Sequence, residues 1–194
     1  LDATGKAGEL VHLETKGEAP WGFCEMPALD PDLRERAMVD VPLWTGVTLI
    51  DALTPIGLGQ SMLLYGHKAT GMAALAQQIV CAQRESGLKC VYLALGKSAA
   101  EVQALQAALR AQGGSEGTTV VASFDFEGPV EAMLATNVAC AVGDSIRHAG
   151  GDVLMIYDEL ACHVESFETM HKALEPKAVP GMAHAVRRVI YSSI

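Results

Sequence analysis

At 194 residues the chain is the size of one domain, or of one domain with a shorter appendage. Half of it is hydrophobic, ample for a core, but only 5% is aromatic, so that core must rest on Leu, Val, Ile, Ala and Met. Its 14 basic and 23 acidic residues give a net charge of −9, which argues against a general nucleic-acid binder.

Residues 1–38 read as an irregular arm. The stretch KGEAPWGFCEMPALDPDLRER holds three prolines and two glycines and has no stable period. Trp21 and Phe23 are its apolar anchors, on its own domain or on a partner. A domain is expected over 39–194. GQSMLLYG, residues 59–66, is a short apolar run that predicts a buried strand leading into a glycine loop. MAALAQQIVCAQRES predicts a helix with Leu75, Ile79 and Ala82 at helical spacing, ended by Gly87. KCVYLALG is a second buried strand. SAAEVQALQAALRAQ is a second amphipathic helix with Val102, Leu105 and Leu109 on one face. TTVVASF is a third strand, PVEAMLATNVACAVGDSIRHAG a third helix stopped by Gly150 and Gly151, and DVLMIYDEL a fourth strand. The tail from residue 163 starts helically, breaks near Pro176 and Pro180, and ends in RRVIYSSI, whose Val189, Ile190 and Tyr191 favour a fifth strand. Apolar strands alternating with helices predict an α/β fold, a mostly parallel sheet covered by helices on both faces.

The five cysteines, Cys24, Cys81, Cys90, Cys140 and Cys162, form no C-x-x-C pair, and several fall in apolar runs. They are expected as buried reduced thiols, which favours a reducing compartment. No apolar run approaches the roughly 20 residues of a membrane-spanning helix. The chain begins at Leu1 without an initiator methionine, so the expectation is a piece of a longer product in which a removed targeting segment would not be visible.

Gly66 and Gly71 have the spacing of a phosphate-binding loop, G-x-x-x-x-G-K-[ST], but Met72 and Ala73 follow where Lys and a hydroxyl residue belong. The loop lies between a predicted strand and a predicted helix, the context that gives the motif meaning. VLMIYDEL has the form of a Walker B strand, whose terminal acid, here Asp158, helps hold magnesium. Order and separation suit a P-loop ATPase core.

The chain also resembles the nucleotide-binding domain of the alpha subunit of the rotary ATP synthase. VPLWTGVTLIDALTPIGLGQ, residues 41–60, resembles the segment entering that domain, with P-x-x-T-G, then I-D-A-L, then P-I-G-x-G-Q. CVYLALG and TTVVAS resemble its second and third strands, and CAVGDSIRHAGGDVLMIYDEL, residues 140–160, resembles its Cys-Ala helix, the following Arg and the Walker B strand. The match runs in register from about Val39 to Leu160, and DALTPIGLGQ has the alpha form rather than the beta form. It implies a RecA-like P-loop fold.

The departures bear on function. Met72 cannot place a charge against phosphates, and Ala73 cannot ligate magnesium. Each loss is expected to cost on the order of a few kcal/mol of nucleotide binding, by analogy with lost charge-assisted bonds and oxyanion contacts. Lys97 stands where the resemblance implies Gln, and KSAAE replaces a polar run. The alpha subunit's barrel, the rest of its sheet and its helical domain have no room here, and the Arg donated to a neighbouring catalytic site belongs to that missing region. No hydrolysis is therefore expected. Gly66, Gly71, Met72 and Ala73 are expected to be a vestigial phosphate loop and Asp158 a vestigial Walker B acid, free to hydrogen-bond backbone around the loop. No cofactor is expected, with weak phosphate or nucleotide binding at the helix start left open. Lys68 and Lys97 are the residues that would supply charge. His163 and His171, flanking Glu165 and Glu168, are expected on the solvated surface rather than at a metal. Cys162 and His163, adjacent on a helix, point apart.

The resulting expectation is a non-enzymatic, pseudo-ATPase structural subunit bound to other proteins of a larger organellar, energy-converting complex. The setting is the mitochondrion ahead of the chloroplast, without nucleic acid and peripheral to any membrane. A nucleotide-sensing regulator with an altered loop and a scaffold protein of an organellar ribosome are the alternatives.

Overall fold

The computed structural model describes residues 38–67 and 70–174. Expectations for the arm with Trp21, Phe23 and Cys24, for Lys68, for the breaks at Pro176 and Pro180, and for a strand ending at Ile194 lie outside these residues. In chain order the elements are β1 (Pro42–Leu43), α1 (Thr48–Leu53), β2 (Ile56–Gly57), α2 (Met72–Ala82), β3 (Lys89–Lys97), α3 (Ala99–Ala111), β4 (Thr118–Phe124), α4 (Pro129–His148), β5 (Val153–Asp158) and α5 (Leu160–Leu174).

β3 is the centre. It pairs in parallel with β4 on one side and with β5 on the other, giving the order β4-β3-β5. Parallel neighbours require crossover connections, and α3 and α4 supply them. Alternation along β3 sends Cys90, Tyr92 and Ala94 to one face, where they pack with Ala76 and Val80 of α2 and Val102, Leu105 and Leu109 of α3. Val91, Leu93 and Leu95 point to the other face, against Ala132, Ala139 and Val142 of α4 and Cys162 of α5. A strand covered on both faces must be apolar throughout, which is why KCVYLALG reads as an unbroken run.

The helix starts have local causes. Ser98 caps α3: its hydroxyl accepts from the Glu101 N–H, and the Glu101 carboxylate accepts from the Ser98 N–H at 2.8 Å. This S-x-x-E box explains the run KSAAE. The Ser98 hydroxyl, then its backbone N–H, hold the Glu101 carboxyl below its usual range. α4 opens on Pro129, whose missing N–H costs nothing at a first helical position. On α3 the expected face, Val102, Leu105 and Leu109, is the buried one, whereas α2 buries Ala76, Ile79 and Val80 and leaves Leu75 and Ala82 half-buried.

The entering segment is stapled to the domain. Asp51 accepts hydrogen bonds from the Thr45 hydroxyl (2.7 Å), the Thr45 N–H (3.0 Å) and the Gly46 N–H (3.1 Å). The buried Gln83 amide donates to the Trp44 carbonyl at 2.8 Å, fastening this turn to the end of α2.

Two expectations are corrected. GQSMLLYG is not a buried strand: Gln60 to His67 carry no regular structure and are exposed, Tyr65 at 95%. An apolar run becomes a strand only against a neighbour, and among the described residues none pairs with it. His163 is not on the surface. It is 8% exposed, with Nδ1 3.1 Å from the Thr136 hydroxyl. That hydroxyl donates to the Ala132 carbonyl at 3.0 Å, so it accepts from the ring and His163 carries its proton on Nδ1. The contact joins α5 to α4, and a periodicity argument on α5 alone had no access to it.

Burial lowers the His163 pKa. The unfolded chain therefore binds this proton more readily, and stability falls as pH drops through about 6.5 towards the folded value, then levels. Urea midpoints should decrease between about pH 7.5 and about pH 5.5, and His163→Gln should flatten the His163 part of that slope.

Candidate functional site

The candidate site has two parts, the glycine turn before α2 and the carboxyl end of β3 and β5. At the turn Gly71 is the N-cap of α2, in the left-handed region with φ +84°, and no side chain caps the helix. The Thr70 hydroxyl donates to the His67 carbonyl at 2.6 Å, closing the loop on itself. A Cβ on Gly66 would stand 3.0 Å from the Thr70 hydroxyl oxygen and 3.4 Å from the Met72 sulfur. Met72 thus turns back over the loop, with its thioether against Gly66. Ala73 begins the wall of a cavity of about 330 Å³, continued by Gln77, Ala94, Lys97, Leu105 and Asp158.

The second part is built by register. Ala94 pairs with Asp158, so Asp158 projects to the α2–α3 face, as Ala94 does. Tyr92, on that face two residues earlier, reaches along the strand and donates its hydroxyl to Asp158 Oδ2 at 2.8 Å. Burial first, then the charge of Asp158, pushes the Tyr92 phenol far up, so it stays a donor. Strict alternation would send Lys97 to the opposite face. The ladder instead slips between Leu95 and Lys97, with Gly96 at φ +62°. A bulge adds one residue and re-aims the next side chain. Gly96 therefore faces α5, where an added Cβ would lie 3.0 Å from Cys162 Sγ, and Lys97 returns to the α2–α3 face. Its ammonium meets Asp158 Oδ1 at 2.9 Å.

Asp158 thus bonds two side chains, Lys97 and Tyr92, rather than backbone around the loop. Lys97 faces a carboxylate rather than open space for a phosphate. Among the described residues there is no group of three or more His, Cys, Asp or Glu placed to hold a metal, and no helix long and apolar enough to cross a membrane. Among the described residues Cys81, Cys90, Cys140 and Cys162 form no disulfide; Cys90 is buried, and burial pushes its thiol up to about 11. The other three are half-buried. Cys162 lies on Gly96 and His163 on Thr136, so the adjacent pair does diverge.

A parallel sheet, a glycine turn opening a helix and an acid at the end of a half-buried strand meet here in one chain. The family model for the ATP synthase alpha/beta family, nucleotide-binding domain, matches residues 46–185. The chain belongs to that family. It is 40% identical over 140 residues to an ATP synthase subunit alpha from Pectobacterium carotovorum, across 72% of this chain and 27% of that protein. It is 35% identical over 158 residues to the subunit from Caldanaerobacter subterraneus, across 81% of this chain and 30% of that protein. A Yersinia enterocolitica subunit alpha is 40% identical over 140 residues. The chain therefore spans under a third of the curated relatives it matches. These relatives support the alpha-subunit resemblance read from VPLWTGVTLIDAL and VLMIYDEL.

Sequence reasoning placed Gly66, Gly71, Met72, Ala73 and Asp158 in this ATP synthase alpha-like domain but missed Tyr92 and the role of Gly96. A tyrosine inside an otherwise aliphatic strand and a glycine within a strand pattern were the available signals.

The two glycines separate local strain from crowding. Gly71→Ala meets nothing within 4 Å, so only its φ resists, at about 1–2 kcal/mol. Gly96→Ala should cost more in urea unfolding, because Cys162 Sγ is also in the way, and Cys162→Ala should recover the difference.

Proposed function

We propose that this chain is a non-catalytic subunit or subunit domain, working through its surfaces in a multi-subunit assembly. The observation that carries the reading is the state of the nucleotide corner. Met72 and Ala73 replace the phosphate lysine and the magnesium hydroxyl, and the strand-end acid Asp158 is paired within the protein. A phosphate loop without a lysine or hydroxyl lacks the contacts that hold a triphosphate in place.

Surface composition supports the same reading. On α4, Val130, Leu134 and Val138 are exposed at four-residue spacing, continued by Phe126 before the helix. Trp44, Leu49, Leu53, Leu63 and Tyr65 are exposed as well. A contiguous apolar stripe such as that on α4 marks an interaction site. ATP synthase alpha subunits are named as subunits of a complex, and an alpha-like domain fits such company. We extend the proposal to an energy-converting complex of an organelle, the mitochondrion ahead of the chloroplast; imaging of the tagged full-length product tests that compartment.

Isothermal titration with Mg-ATP should show no binding in the micromolar range, and micromolar binding would overturn the reading in favour of a nucleotide sensor. Combining Met72→Lys, Ala73→Thr and Lys97→Gln should make binding measurable. Tagged protein should co-purify with the same set of partner subunits in each preparation. Leu134→Asp with Val130→Asp should remove partners while leaving the circular dichroism spectrum and Tm near wild type; recovery as a lone monomer would count against the assembly role.

A further inference from the structure

The family implies a magnesium nucleotide, and the donor set here does not fit one. Magnesium demands oxygen ligands in near-octahedral geometry at about 2.0–2.1 Å. Ala73 has no oxygen in its side chain, and both oxygens of Asp158 are engaged, one by the Lys97 ammonium and one by the Tyr92 hydroxyl. We propose that the Lys97 ammonium is the resident cation of this corner, taking the charge role of the metal at Asp158, excluding divalent ions and tying β3 to β5 without any metal.

Three observations carry this. The first is the built-in aim of Lys97. Without the slip at Gly96 the side chain would lie on the α4–α5 face, on the far side of the sheet from Asp158. The second is burial. The two side chains are 21% and 18% exposed, so either charge alone would be poorly solvated, and a carboxylate so placed needs a cation beside it. The third is the local charge count. Glu101 also faces the cavity, but its Oε2 is held by the Ser98 N–H and hydroxyl. A divalent ion arriving at Asp158 would meet a fixed positive charge and would have to displace it.

The inference deepens the proposal that no magnesium nucleotide binds here, but it needs no partner protein and no nucleotide. Its probe is therefore manganese ion alone, and its failure would leave the assembly role standing. The experiment uses ¹⁵N-labelled full chain titrated with millimolar Mn²⁺. In the wild type the amide signals of Ala94, Lys97 and Asp158 should persist, and their selective loss would overturn the proposal. In Lys97→Gln and Lys97→Met the same signals should be lost, and adding Asp158→Asn should bring them back. Persistence of the signals in both folded single variants would also overturn it, because something other than Lys97 would then exclude the ion. If both variants unfold in metal-free buffer, millimolar Mg²⁺ should restore the fold by replacing the missing charge, and failure to restore it would sink the idea.

Discussion

The structure depends on one strand being closed on every side. β3 has β4 and β5 on its edges, α2 and α3 over one face, and α4 and α5 over the other. From Val91 to Leu95 no residue is more than 1% exposed. Its backbone groups are satisfied by two ladders and its side chains by two apolar layers, so neither register nor facing can slip without exposing one set and burying the other. That rigidity is what lets β3 and β5 present Tyr92, Lys97 and Asp158 to one another over distances of 2.8 and 2.9 Å.

The electrostatics follow from the same closure. An acid at the end of a half-buried strand must be neutralised by something. In a P-loop domain that task belongs to a metal and the loop around it. Here the chain supplies a lysine from the adjacent strand, delivered by a glycine bulge, and a tyrosine hydroxyl from beneath. The same pair of strands joins the domain at its carboxyl end, so the corner contributes to cohesion as well as to charge balance. At the glycine turn the geometry that starts α2 survives with different chemistry: Gly71 keeps its left-handed conformation while the Met72 sulfur lies against Gly66. A loop can retain its backbone role after its side chains change, because positive φ and helix initiation need only the glycine.

Much of this was legible in sequence. The apolar run of β3 identified itself because burial on both faces leaves no polar position from Val91 to Leu95, and β4 and β5 stood out as shorter apolar runs between helices. Val102, Leu105 and Leu109 were found as a face because α3 packs on one side only. Asp158 stood out at the end of its run. GQSMLLYG was misjudged for a physical reason: hydrophobicity reports a tendency to be buried, while a strand also needs hydrogen-bonding neighbours that composition does not name. His163 was misjudged because its partner, Thr136, lies 27 residues away on another helix.

By itself, the sequence determined the alternation of strands and helices, the family, and the replacement of the phosphate lysine and hydroxyl by Met72 and Ala73. These are local or periodic properties, written in the order and type of neighbouring residues. Only the tertiary structure decided that Lys97 meets Asp158. The two are 61 residues apart, and their meeting depends on a parallel register and a single bulge at Gly96 that turns a side chain from one face of the sheet to the other. Facing is a property of three-dimensional pairing, and a slip of one residue reverses it.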